Sequence, residues 1–159
     1  MDAKIPKEYE KTAYNLFEVT KAKRLPWPIW ITPQIFEEAI NLYETFILVC
    51  YKDYTEYKIM NDVLWELIKD YKERKDFSVG FGEVDMNTYP KFFEREELRR
   101  SLYGPRTIIE MIRSAETPFI IFFRNGEVIQ MMPSGLILLI WRRSLAEQIS
   151  NMIVELNGD

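Results

Sequence analysis

The side chains able to carry covalent or proton-transfer chemistry are few. The chain holds one cysteine, Cys50, and no histidine. Without imidazole there is no His-based acid–base catalysis, no Ser-His or Cys-His nucleophile and no imidazole metal ligand. A single cysteine forms neither an internal disulfide nor a multi-thiolate zinc or iron–sulfur site, so neither a metal nor a cofactor is expected. Cys50 lies in an apolar run and reads as a buried structural thiol, because a reactive thiolate needs exposure and positive neighbours. Tyr54 and Tyr57, at the start of a helix, could hydrogen-bond an anionic or carbonyl group beside unpaired backbone N–H groups. Equally, they could pack and cap the helix. Thr55 with Lys58 offers a nucleophile and an amine, and Glu96 with Glu97 offers two carboxylates. Neighbouring carboxylates on a helix point in different directions, so this last pair does not face one site. No catalytic residue is assigned.

At 159 residues, 47% hydrophobic and 29% charged, the composition is that of one ordinary globular domain spanning 1–159. A net charge of −4 lacks the surplus of Lys and Arg that a polyanion binder needs, so no nucleic-acid partner is expected. The segment Met1–Pro6 has no apolar signal core and no stretch reaches the ~18 apolar residues of a membrane span, so a cytoplasmic protein without a membrane partner is expected. Six glycines, scattered, leave no phosphate-cradling loop.

The elements that must hold these residues follow from periodicity. Tyr9, Ala13, Leu16, Phe17 and Thr20 predict an amphipathic helix from Pro6 to Lys23, ended by Pro26 and Pro28. Ile29 to Ile31 reads as a short strand. Thr32-Pro33 supplies a cap and first-turn proline for a helix facing Ile35, Phe36, Ala39, Ile40 and Tyr43 inward. Phe46 to Tyr51 is continuously apolar, as in the middle strand of a sheet. Met60, Leu64, Leu67, Ile68 and Tyr71 mark a four-turn helix. Phe77, Val79 and Phe81 alternate with small residues as a strand does, and Asp85 to Tyr89 turns the chain. Asn125-Gly126 between two apolar runs predicts a type I′ hairpin. A last helix is predicted with the stripe Leu138, Trp141, Leu145, Ile149, Met152 and Leu156. A β-α-β crossover and a hairpin together require a mixed sheet with helices on its faces.

This order resembles the thioredoxin fold, and several stretches match it locally. Phe81-Gly82-Glu83-Val84-Asp85-Met86-Asn87-Thr88-Tyr89-Pro90 resembles that superfamily's third strand and acidic turn. Thr117-Pro118 followed by Phe119 to Phe123 and Arg124-Asn125-Gly126-Glu127 resembles its proline-led strand and hairpin. The resemblance runs from about Ile29 to Leu156. It implies a three-layer α/β/α domain with a central mixed sheet of four or five strands, plus an extra N-terminal helical extension (1–25) and a helical insertion (about 91–106) before the Pro118 strand. It also implies a cis peptide bond at Thr117-Pro118. The superfamily's Cys-x-x-Cys motif falls on Tyr54 and Tyr57, and its buried strand acid falls on Leu48. Thiol–disulfide exchange needs an attacking and a resolving thiol, so the resemblance points to a redox-inactive member and not a dithiol–disulfide oxidoreductase.

The implied role is a protein- or peptide-binding or adaptor module, using a groove formed by Tyr54, Thr55, Tyr57, Thr117 and Pro118. The alternatives are a one-cysteine or other non-thiol-exchange enzyme on the thioredoxin fold, or a structural subunit of a complex. Within the insertion, Arg95, Arg99, Arg100 and Arg106 are offset by Glu94, Glu96 and Glu97, a pattern expected of a solvated helix face. Leu136 to Trp141 is apolar around a whole turn, more than one buried stripe requires. Its cover is either internal, from the N-terminal helix through Tyr9, Leu16 and Phe17 or from Phe92 and Phe93 of the insertion, or a partner interface through Ile137, Ile140 and Trp141, with a homodimer as one form of it.

Overall fold

The computed structural model describes residues 7–23 and 27–157, apart from the side chains of residues 7–14, 97, 139–145 and 157. Helix α1 (Lys7–Lys23) leads to strand β1 (Pro28–Trp30), helix α2 (Phe36–Leu42) and strand β2 (Thr45–Tyr51). Helix α3 (Tyr54–Glu73) crosses over to strand β3 (Val79–Asp85). A 3-10 turn at Phe92–Glu94 and helices α4 (Glu96–Arg99) and α5 (Arg106–Arg113) precede strand β4 (Phe119–Arg124), strand β5 (Glu127–Met132) and helix α6 (Ser134–Asn157). The five strands lie in the order β1-β3-β2-β4-β5. β3 runs parallel to both β1 and β2, whereas β4 runs antiparallel to β2 and β5. β2 is therefore the middle strand, as its unbroken apolar run requires.

Because side chains alternate across a strand, β2 feeds two cores at once. Ile47, Val49 and Tyr51 join Val79, Phe81, Ile120 and Phe122 under α3 and α6. Phe46, Leu48 and Cys50 join Phe119, Ile121 and Phe123 on the opposite face, under α2 and the 91–113 region. Phe36 is the hub of that second core, with edge-on contacts to Phe92, Phe93 and Phe123 at ring separations of 5.8 to 6.2 Å. Burying each such ring contributes roughly 1.5–3 kcal/mol, so the phenylalanines of the insertion help to anchor it to the sheet. Phe17 of α1 is buried in the same core.

The insertion was expected to be a solvated charged face; its Arg99 and Arg100 are exposed, while Phe92, Phe93, Leu98 and Leu102 turn inward. It also closes the sheet. Tyr103 bridges Glu127 in parallel, and the Val128 N–H donates to the Tyr103 carbonyl at 2.7 Å, covering the edge strand β5. Gly104 makes that approach possible: its φ is +153°, and a Cβ there would sit 2.7 Å from the Val128 carbonyl oxygen.

At the hairpin, Asn125 and Gly126 both take positive φ, 51° and 82°, the pattern of the predicted type I′ turn. Three expectations change. Thr32 does not cap α2; a turn intervenes, Ile35 donates to the Thr32 carbonyl at 3.2 Å, and the helix begins at Phe36. Phe77 lies outside β3 and is exposed, because the strand begins only where pairing with Thr45 starts, at Val79.

The third concerns α6. Ile137 is fully buried in the core beneath α3, not on a partner-facing surface, while Leu138, expected inside, is 53% exposed and Leu136 is 43% exposed. The chain leaves β5 and enters α6 within two residues, with the Ile137 N–H donating to the Pro133 carbonyl. The exit direction of the strand thus chooses which apolar side chain turns inward. Phe92 and Phe93 lie across the sheet from this core, away from the described side chains of α6. The side chains of Ile140 and Trp141, and the expected helix stop at Pro26, lie outside the described residues. No described helix is long and apolar enough to cross a membrane.

Candidate functional site

The predicted site residues meet at the C-terminal end of β2. Helix α3 begins there through a reciprocal cap. The Glu56 N–H donates to Asp53 Oδ1 at 2.9 Å, and the Lys52 N–H donates to Glu56 Oε1 at 2.9 Å. Asp53-x-x-Glu56 is a capping-box pattern with an aspartate in the cap position, so the acid, and neither tyrosine, caps the helix. Burial holds the Glu56 carboxyl above its ordinary range, opposed by hydrogen bonds from the Thr117 side chain and the Lys52 backbone. Glu56 thereby ties the start of α3 to the residue before Pro118.

Thr117-Pro118 is cis. Cys50 pairs with Phe119 at the end of the antiparallel ladder, so residues 116–118, which bend and belong to no strand, lead into β4 at this end of the sheet. Among the described residues neither Glu116 nor Thr117 makes a backbone–backbone hydrogen bond. An open cavity of about 640 Å³ lies here, lined among others by Lys52, Pro90, Lys91, Glu94 and Arg113; of the five predicted groove residues only Thr117 is in its lining. The insertion therefore supplies part of its wall. Lys91 stands in the left-handed region, φ 55°, an uncommon conformation for a side chain larger than glycine.

Tyr54 is 52% exposed, with the Lys58 ammonium 5.5 Å from its ring centre. Thr55 and Lys58 are both exposed, and no contact joins them into a nucleophile–amine pair among the described residues. Tyr54 and Tyr57 lie 6.3 Å apart by ring centres, and Tyr57 meets the buried Tyr51 edge-on at 5.2 Å. The three tyrosines step from the surface into the core. Tyr51 then donates to Glu83 Oε1 at 3.0 Å. Glu83 is 8% exposed, and burial first, then the nearby Asp85, push its carboxyl up to about 7, against the opposing hydrogen bond from Tyr51. Burial and the same acids raise the Tyr51 phenol. Asp85 is committed to the turn after β3: Oδ1 accepts from the Asn87 and Thr88 N–H groups at 2.8 and 3.3 Å, and Oδ2 accepts from the Thr88 hydroxyl at 2.9 Å.

Cys50 is fully buried, and desolvation raises its thiol. It faces the second core, as does Leu48, away from α3. The structure thus brings Tyr54, Thr55, Tyr57, Thr117 and Pro118 to one end of the sheet and keeps Cys50 out of that group. Sequence reasoning missed Glu56, Lys91, Arg113 and the Glu83–Asp85 pair. Asp-x-x-Glu at 53–56 signals the first. Parity signals Glu83, since residues 79, 81 and 83 share one face of β3. Nothing local places Lys91 and Arg113 across from Lys52.

No protein-family model matches the chain, and no curated protein matches it in sequence. Solved structures are similar in fold. A mutant thioredoxin from Halobacterium salinarum NRC-1 superposes with a TM-score of 0.54 at 9% identity, covering 82% of this chain and 92% of the other. An oxidised thioredoxin from Plasmodium falciparum gives 0.48 at 12% identity, covering 74% and 97%. Mitochondrial thioredoxin 3 from Saccharomyces cerevisiae gives 0.47 at 18% identity, covering 66% and 81%. At 9% identity the likeness to the Halobacterium salinarum protein shows the thioredoxin-like fold and nothing of the chemistry.

Proposed function

We propose that this thioredoxin-fold protein is redox-inactive and works as a binding module that holds an extended segment of another protein along Glu116–Pro118, beside Tyr54 and Tyr57. The observation that carries this reading is the open cavity at the unpaired Glu116 and Thr117 backbone. Free backbone groups beside an opening suit docking of an extended peptide by main-chain hydrogen bonding. An exposed tyrosine adds contact area with little loss of side-chain freedom. Redox inactivity is supported by the single cysteine, buried and with a raised thiol pKa, in a fold where exchange needs two accessible sulfurs.

The test is selection of a random displayed-peptide library against the folded protein, with binders mapped by amide chemical shifts. Shifts centred on Thr117, Tyr54 and Lys52 are the expected result. Binders that map elsewhere, or an absence of binders, would remove the groove reading. Dithiothreitol-driven reduction of insulin disulfides above the uncatalysed rate would remove the redox-inactive reading.

A further inference from the structure

Resting on the peptide-groove reading above, we infer that the segment it takes is acidic, with one carboxylate side chain held among Lys52, Lys91 and Arg113 and a neighbouring apolar side chain held against Met111 and Met131. Three basic side chains from three separate parts of the fold line the 640 Å³ cavity: the loop after β2, the start of the insertion and the end of α5. Two carboxylates, Glu94 and Glu116, share the wall. Among the described residues none of the three cations forms an ion pair within 4.0 Å, although the Lys52 charge favours ionisation of the nearby Glu56 carboxyl. In a chain of net charge −4, the three basic and two acidic side chains of this lining leave a small local positive excess, which favours an anionic partner.

A second, smaller cavity of about 180 Å³ shares Ala115 and Glu116 with the first and continues past the proline loop to Met111, Met131 and Pro133. Met111 is 45% exposed although α5 turns Ile112 into the core. Methionine walls adapt to apolar side chains of varied shape. The two cavities flank the same unpaired backbone, so a strand lying along it offers side chains to both. The shared residues Ala115 and Glu116 thus stand between a charged cavity and an apolar one. Peptide charge is thereby read by the insertion, which gives that addition a role beyond covering β5.

The experiment is fluorescence anisotropy with labelled octapeptides in which the probe pair is varied. The acidic probe is Gly-Ser-Asp-Glu-Ser-Leu-Ser-Gly, made also in reverse order, since Glu and Leu two apart fall on one side of an extended strand. The controls replace Asp-Glu by Ser-Ser or Lys-Lys, or Leu by Ser. Binding of the acidic probe about fivefold tighter than the Ser-Ser probe at low salt, fading by 0.5 M salt, is expected, as is weaker binding without Leu. Lys91→Glu and Arg113→Glu, each checked for folding by circular dichroism, should bring the acidic probe down to about the Ser-Ser level. Equal binding of the acidic and Ser-Ser probes, or preference for Lys-Lys, would overturn the acidic inference and leave the groove standing. Binding by none of the probes would overturn the groove reading and this inference with it.

Discussion

Replacing Glu83 with glutamine removes a titratable carboxyl from the apolar layer under α3 and keeps an oxygen to accept the 3.0 Å hydrogen bond from Tyr51. Glu83 titrates at about 7 in the folded chain against an ordinary 4.5, burial being the main cause. At about 1.36 kcal/mol per pKa unit, that rise corresponds to roughly 3 kcal/mol. The sign follows from proton counting. Below pH 4.5 the group is protonated in both folded and unfolded chains, and burial of the neutral acid carries no ionic cost. Between 4.5 and about 7 the unfolded chain releases its proton first, so it binds fewer protons than the native state and stability falls as pH rises. Above about 7 the loss is complete. Glu83→Gln should therefore be close to neutral at pH 4.5 and more stable than the parent by about 3 kcal/mol at pH 8. Urea unfolding followed by far-ultraviolet circular dichroism at half-unit pH steps measures this as a growing gap in midpoint at constant m-value. A gap that does not change with pH, or a variant that is less stable at pH 8, would show that the Glu83 carboxylate is not the source of the cost.

Three further outcomes follow from named contacts. Cys50 should resist thiol reagents in the native protein and react at once in 6 M guanidinium, because a fully buried thiol with a raised pKa presents almost no thiolate; equal rates in the two conditions would contradict its placement on β2. Gly104→Ala should destabilise the chain by about 1–3 kcal/mol and speed hydrogen exchange at the Val128 amide, since the methyl group meets the carbonyl of Val128 and the φ of +153° is strained for alanine; unchanged exchange would mean that the insertion does not guard the β5 edge. Asp53→Ala should cost about 1 kcal/mol by freeing the Glu56 amide at the start of α3, read from the denaturation midpoint; no loss would mean that water replaces the cap at no cost.

The amino-acid sequence by itself determined the layered α/β architecture, because the signals involved are local. Unbroken apolarity at Phe46 to Tyr51 specified a strand covered on both faces, Asn125-Gly126 specified the hairpin turn, and Met60 to Tyr71 specified the face of α3. The absence of a second cysteine and of histidine excluded whole chemistries without reference to shape. Local signal also reached the start of the site, since the stretch 53–58 lies at one helix end whatever packs around it. Only the tertiary structure decided the rest. Whether Ile137 or Leu138 turned inward depended on the direction in which β5 delivers the chain to α6, a property of the sheet and not of the helix. The 91–106 insertion looked solvated because its charges are adjacent in sequence. Its phenylalanines nevertheless had a large apolar neighbour to bury against, Phe36 from a helix more than fifty residues earlier. The cavity is of the same kind: Lys52, Lys91 and Arg113 come to line one opening, together with Glu94 and Glu116, only when the end of β2, the insertion and α5 converge on the loop before β4. Periodicity reports which face of a single element is apolar, whereas the meeting of distant side chains is set by sheet order and by how the elements dock, which no local spacing encodes.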